Sequence, residues 1–325
     1  MIELKSKSPE ELAAEIVLLP DGHSFALKSE KELAGLLTVV RDPLRYAAIF
    51  KAVAERQDAS DWMRFAARSE DINGRRRAKG AIHSDVVQEL TWLARDAEQK
   101  LKNSMEKYAL LGGVYWNTTI LNRNLRRYAE AAVSARLSAS WFGLAGDTEN
   151  HFVSLFEAQV EEVTVSFGKS DNDAVRDAVV ALAIFRDYIK LMVGPYPLWM
   201  VQNAQVHIAS AAMMAYLRGV RIDLDAYADD FRDSATQTVM PHWANVFVAC
   251  EHYRAGRYQE VVGIGPVDVS SSSADNAELA RQIVIAYAER ELQRAEKSRE
   301  RFEAVAHHRG PNGGMLIAVA EAALQ

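Results

Sequence analysis

Helix-start signals recur along this chain, and apolar residues follow them at helical spacing. Ser8 and Glu11 form a capping box at the first of these signals, and Ser29 and Glu32 repeat it. In the segment 84–111 the apolar residues stand three and four positions apart, as one face of a helix requires. Only one short stretch alternates as a strand does, and a lone strand has no partner. These patterns predict an all-α protein.

Glycines and polar breaks divide the chain into about ten to twelve predicted helices, packed as irregular helical hairpins. Gly74 lies in a predicted loop over 70–80, which also carries the basic cluster Arg75-Arg76-Arg77. Gly112-Gly113 is predicted to end a long helix that begins at Ser84.

Further long helices are predicted over 118–141, 148–165 and 277–307. The polar break near 168–173 predicts two helical subdomains, 1–168 and 169–325.

Composition narrows the class of protein. Apolar residues make up 49% of the chain and charged residues 25%, which is typical of a globular protein. The net charge is −6, mostly within residues 171–325, so a nucleic-acid partner is not expected. Cys250 is the single cysteine, which excludes an internal disulfide. With no membrane-length apolar run and no signal-peptide pattern, the sequence predicts a cytoplasmic protein that does not enter a membrane.

Several motifs match known chemistry in part. Ser104 and Lys107 have the Ser-x-x-Lys spacing of penicillin-recognising enzymes, but the Lys-Thr-Gly element on a strand is missing. Gly168-Lys169-Ser170 ends like a phosphate loop, but valine stands where the first glycine should be. No metal-ligand spacing is complete. We therefore expect no catalytic residues, no metal and no cofactor.

One aromatic segment looks at first like a site. Trp243, Phe247 and Cys250 share a helix face, while the nearby His242 and His252 point in different directions. A reactive thiol would need a base one turn away, and none is present in the sequence. The pattern predicts that these three residues pack in the core.

The same region carries a family resemblance over residues 204–264. A helix with Ala204-Gln205, Ala209, Ala212 and Tyr216-Leu217 is followed by an acidic connector, then Trp243-x-x-x-Phe247, Ala249 and Arg254-x-x-Arg257. This pattern resembles immunity protein family 49 of bacterial polymorphic toxin systems. The resemblance implies an all-helical protein that neutralises a cognate toxin by binding it. Gly256-Arg257-Tyr258 also resembles the corner of a tetratricopeptide repeat, although the period of about 34 residues does not recur.

An acidic segment, RIDLDAYADDFRD, supplies the candidate partner-binding residues. We expect its aspartates to face a toxin with a basic surface, where complementary charge speeds association. The residues are Asp223, Asp225, Asp229, Asp230 and Asp233.

A different class of function stays open. The chain is then a helical scaffold, a small-ligand sensor, or an enzyme whose site is assembled from distant residues. The candidate pocket residues for a ligand are Tyr196, Trp199, Met200, Met213 and Met214.

Overall fold

A computed structural model describes residues 7–19, 21, 42–78, 83–169, 171–192, 198–236, 241–266, 272–308 and 313–325. These ranges contain fifteen α-helices and two short 3-10 helices, with no strand. The all-α prediction is confirmed. The capping box of Ser8 and Glu11 is present in both directions, whereas the one predicted at Ser29 and Glu32 lies outside the described residues.

Seven helices begin in the first half of the chain. They are α1 (Pro9–Ile16), α2 (Pro43–Glu55), α3 (Asp61–Arg77), α4 (His83–Lys100), α5 (Met105–Asn124), α6 (Tyr128–Leu144) and α7 (Thr148–Phe167).

The other eight are α8 (Asn172–Met192), α9 (Leu198–Leu217), α10 (Ala228–Thr236), α11 (Ala244–Arg254), α12 (Tyr258–Gly263), α13 (Ser272–Glu291), α14 (Ala295–Ala306) and α15 (Gly314–Leu324). The 3-10 helices, Leu224–Tyr227 and Pro241–Trp243, precede α10 and α11. Within the described residues no helix has an apolar stretch long enough to cross a bilayer.

The chain divides into two compact units, Met1–Leu155 and Phe156–Gln325, which we call unit 1 and unit 2. The division falls inside α7. The boundary predicted from the sequence, 168/169, follows the end of that same helix.

The described residues of unit 1 form two apolar cores. The first lies between α1, α2 and α3 and is centred on Ile49, Phe50 and Met63. The second involves α4 and α5 and includes Leu90 and Leu121. Helices α5 and α6 form the most extensive contact of the unit.

Small side chains make the α5–α6 contact possible. The face of α6 that is buried carries Ala131, Ala135 and Ala139, so the two backbones approach closely. The hydroxyl of Ser138 donates to the carbonyl of Gly112 at 2.8 Å, which ties the two helices together in the buried layer.

The described residues of unit 2 form one large core built around α13. The run from Ile283 to Ala286 is fully buried because α9, α11, α12 and α14 all contact this helix. The prediction for the aromatic segment is confirmed: Trp243, Phe247 and Cys250 are buried, with 5.7 Å between the stacked rings of Trp243 and Phe247.

Among the described helices, five end in the same tight corner. At each, one residue takes a left-handed conformation, and the next N–H donates to the carbonyl five positions earlier, at 2.8–3.0 Å. This is the Schellman motif, which satisfies carbonyls that a helix end leaves without partners. The left-handed residues are Arg126, Gly146, Gly219, Gly256 and Gln293.

Two of these corners explain why the helices outnumber the prediction. The segments 118–141 and 277–307 were each predicted as one helix, but each is broken at a corner, at Arg126 and Gln293. Neither position has the glycine or proline that normally marks a break. The segment beginning at Ser84 also splits, between Lys100 and Met105.

Glycines predicted as breaks lie inside helices instead. The loop predicted over 70–80 is wrong, because α3 continues through Gly74 to Arg77. A Cβ at Gly74 would lie 2.9 Å from the backbone of Pro43 and Ala47, so glycine allows α3 to touch the start of α2. Gly112 and Gly113 likewise lie in the middle of α5.

Candidate functional site

The acidic segment lies in unit 2 on a short, well-anchored element. The carboxylate of Asp223 accepts the backbone N–H of Asp225 at 3.0 Å and so starts the 3-10 helix that leads into α10. Tyr227 and Phe231 point into the core from the same element. A rigid inner face therefore fixes the positions of the aspartates outside it.

Three of the five aspartates are exposed. Asp223 lies at the surface, and the side chains of Asp225 and Asp229 are 82% and 81% exposed. Asp225 pairs with Arg254 at 2.6 Å, and Asp229 pairs with Arg232 at 2.9 Å. Exposed pairs of this kind contribute little to stability, and a partner can exchange them at little cost.

The other two aspartates have structural contacts. Asp230 is only 4% exposed and forms an ion pair with Arg186 of α8. Burial acts to lower the pKa of Arg186, but its bonds to Asp187 and Asp230 raise that pKa overall. Asp233 accepts a hydrogen bond from the side-chain amide of Gln205 in α9 at 2.8 Å. The exposed acidic surface is therefore narrower than the sequence suggested.

One acidic residue of this surface lies outside the acidic segment, and its place there could not be predicted from the sequence. Glu251 of α11 contacts the same Arg254 guanidinium that pairs with Asp225, at 3.3 Å. It joins the surface only because Arg254, on the same helix, reaches Asp225. We define the acidic surface as Asp223, Asp225, Asp229 and Glu251.

The serine–lysine pair does not form a nucleophile and a base. Ser104 caps α5, and its hydroxyl accepts the backbone N–H of Lys107 at 3.2 Å. The ammonium of Lys107 donates to the carbonyls of Glu98 and Leu101 at 2.7 and 2.9 Å, at the end of α4. Ser104 therefore caps the start of one helix and Lys107 caps the end of another. Ser170 of the partial phosphate-loop motif lies outside the described residues.

The Cys250 thiol is buried, and each arginine of the basic cluster 75–77 contacts a neighbouring side chain. Burial raises the pKa of the Cys250 thiol far above its usual range, which keeps the thiol neutral. Arg75 binds Glu89, Arg76 donates to Asn73, and Arg77 lies 5.2 Å from the centre of the Tyr46 ring. Among the described residues, no three His, Cys, Asp or Glu side chains converge as a metal site.

The candidate ligand pocket is described only in part. Met213 and Met214 are buried in the core of unit 2. Tyr196 and the side chains of Trp199 and Met200 lie outside the described residues.

Two polar residues of the resemblance pattern contact the acidic segment, and a third, Arg257, pairs with Glu260 instead. Gln205 binds Asp233 and Arg254 binds Asp225, whereas the alanines of the pattern, Ala209 and Ala212, are buried.

Comparison with known proteins adds nothing to this pattern, because no protein family, curated protein or solved structure matches the chain.

Proposed function

We propose that this chain is an immunity protein that neutralises a cognate bacterial toxin by binding it one to one. The observation that carries the proposal is the acidic surface. Its exposed aspartates lie on the 3-10 helix and α10, whose inner residues Tyr227 and Phe231 are buried in the core. The sequence resemblance supports it, since Gln205 and Arg254 of that pattern hold this same segment in place.

The physical mechanism is recognition and not chemistry. A fixed group of carboxylates attracts a basic surface and orients it during diffusional encounter, which raises the association rate more than the affinity. A rigid presenting element adds to this, because little conformational entropy is lost when the partner binds. Blocking a basic substrate-binding cleft of the toxin would then require no catalysis by this chain.

The test is a charge reversal of the three exposed aspartates. Asp223→Lys, Asp225→Lys and Asp229→Lys are combined, and association with the cognate toxin is measured by stopped flow. We expect the association rate to fall about tenfold or more at low salt, and the difference to shrink at high salt. Protection of cells that express the toxin should weaken in parallel.

A matched control separates the effect of charge at the acidic surface from the effect of the net charge of the chain. Asp177→Lys, Glu296→Lys and Glu300→Lys change the net charge by the same amount at exposed positions of unit 2 outside the acidic surface. This control should associate nearly as fast as the unmodified chain. Equal rates for both triple variants would refute docking through the acidic surface. Failure of the unmodified chain to bind or protect would refute the immunity function itself.

A further inference from the structure

A surface groove runs between α3 and α4 in unit 1, whereas the acidic surface belongs to unit 2. The volume of the groove is about 510 Å³. Each helix contributes side chains three, four and seven positions apart, so one face of each helix lines the groove. Ile72 and Leu93, 5% and 6% exposed, form an apolar base.

Trp92 is the conspicuous residue of this groove. It is 59% exposed, although an indole is one of the largest apolar surfaces that a protein can bury. Tryptophan and arginine are the residues most enriched among those that dominate binding energy at protein interfaces. An exposed tryptophan beside an apolar base is therefore suited to receive a side chain from a partner.

The charges of the groove differ in how they are satisfied. Arg75 is neutralised, because its guanidinium binds Glu89 at 2.5 and 3.1 Å and lies 3.3 Å from Asp71. Two other cations, Arg68 and Arg95, line the same groove. Within the described parts of the chain neither has a carboxylate at ion-pair distance, and Arg68 only lies over the Phe65 ring at 5.9 Å.

We propose that this groove binds an acidic segment of a partner protein that also carries an aromatic or aliphatic side chain. The apolar side chain packs on Trp92 above Ile72 and Leu93, and carboxylates of the segment pair with Arg68 and Arg95. Arginine suits this task because its planar guanidinium binds a carboxylate with two parallel hydrogen bonds.

The charge pattern favours a peptide over a nucleic acid. Asp71, Glu89 and Asp96 line the same groove, and the whole chain carries a net charge of −6. A phosphate backbone needs several uncompensated cations in a row, whereas this groove offers two. A segment with spaced carboxylates needs only those two cations, and the carboxylates of the groove are already paired, Asp71 and Glu89 with Arg75 and Asp96 with Lys100.

The probe is a fluorescein-labelled twelve-residue peptide of alternating glutamate and leucine with one central phenylalanine, titrated with the full chain and followed by anisotropy. We expect saturable binding that weakens at least tenfold in Trp92→Ala and in the double variant Arg68→Gln, Arg95→Gln. All three side chains are at the groove surface, so both variants should keep the far-ultraviolet spectrum of the unmodified chain.

Two control variants and two control ligands complete the experiment. Leu144→Ala removes another exposed apolar side chain of unit 1, and Arg221→Gln removes an exposed arginine of unit 2. Neither should change the affinity for the peptide, and a lysine version of the peptide should not bind. The proposal is overturned if the acidic peptide fails to bind or if its affinity is unchanged in the groove variants. It is also overturned if a twelve-base oligothymidine binds more tightly than the peptide.

This inference does not depend on the immunity function. The groove and the acidic surface belong to different units and are tested with different ligands. Peptide binding at the groove would stand even if charge reversal in unit 2 left toxin association unchanged.

Discussion

Two adjacent glycines in α5, Gly112 and Gly113, have opposite surroundings. A Cβ on Gly112 would lie 2.7–2.8 Å from three ring atoms of Phe142, whereas nothing lies within 4 Å of a Cβ on Gly113. We expect Gly112→Ala to destabilise the protein by about 1–3 kcal/mol through overpacking. Gly113→Ala should instead stabilise it by about 0.5–1 kcal/mol, because alanine favours the helix.

Urea unfolding of the two alanine variants measures both effects in one helix. Each variant is the control for the other, since they share the substitution and differ only in the neighbours of the new methyl group. Equal shifts of the unfolding midpoint would show that α5 does not pack on α6 as described.

The neighbouring aspartates of α10 allow a second matched comparison. Asp230→Asn leaves the mostly buried Arg186 side chain with a weaker partner and should lower the free energy of unfolding by about 2 kcal/mol. Asp229→Asn changes an exposed pair and should alter stability by less than about 0.5 kcal/mol. Chemical denaturation measures both, and a larger loss in Asp229→Asn would contradict the buried position of Asp230.

The burial of some individual residues could be predicted from the sequence. Trp243, Phe247 and Cys250 were identified as core from their spacing alone, and the structure confirms it. The burial of Asp230 had a weaker signal, since it stands three positions after Tyr227 on the face that the core covers. Its partner Arg186 is distant in the sequence, so the ion pair itself had no local signal.

At the scale of helices, the corners are the feature most open to test. Gln293 holds a left-handed conformation that glycine adopts without strain. We expect Gln293→Gly to stabilise unit 2 by about 0.5–1 kcal/mol, since the strain removed exceeds the added freedom of the unfolded chain. Thermal unfolding followed by circular dichroism measures the change.

The reverse substitution supplies the control. Gly256 holds the equivalent position at the α11–α12 corner, and nothing lies within 4 Å of the point that a Cβ would occupy there. Gly256→Gln should therefore lower the melting temperature through backbone strain alone. If both substitutions moved stability in the same direction, the corners would not share one geometry.

Most helices were predictable because their caps and periodicity are local properties. Ser8, for example, caps α1 through residues only three positions away. The corners at Arg126 and Gln293 were missed because their left-handed residues are not glycine, so tertiary packing and not local preference sets them. Gly74 and Gly112 were misread for the converse reason: each is needed by a neighbouring helix that is distant in the sequence.

At the scale of the whole chain, the lone thiol makes stability depend on pH. The pKa of Cys250 is raised in the folded state, so its neutral form stabilises the fold fully below the unfolded thiol pKa of about 8.5. Above that pH the unfolded state ionises and the stabilisation declines. We expect a loss of about 1.4 kcal/mol between about pH 7.5 and 9.5.

The matched variant for this prediction is Cys250→Ala. It has no thiol to ionise, so the free energy of unfolding should fall less steeply with pH, whatever its value at neutral pH. The comparison uses urea unfolding at a series of pH values. Parallel curves for the two proteins would mean that Cys250 is not buried in the native state.

The assignment of residues to one unit or the other is hard to read from a sequence. A polar break near Ser170 predicts a boundary at 168/169, and the two compact units divide within α7, the helix that ends just before it. Which apolar residues of α7 join which core depends on partners far away in the sequence, and periodicity carries no such information. The exposed acidic surface was visible as composition, whereas Glu251 joined it only through folding.

Contacts between successive helices set the order in which this protein can fold as it leaves the ribosome. In unit 1, α2 and α3, and later α5 and α6, find their main partner within the next few dozen residues, so each hairpin can close during synthesis. Unit 2 is different, because α13 contacts α9, α11 and α12, all made earlier. The faces of α11 and α12 that pack on α13 stay uncovered until that helix is complete at Glu291, so unit 2 exposes apolar surface during synthesis for longer than the hairpins of unit 1.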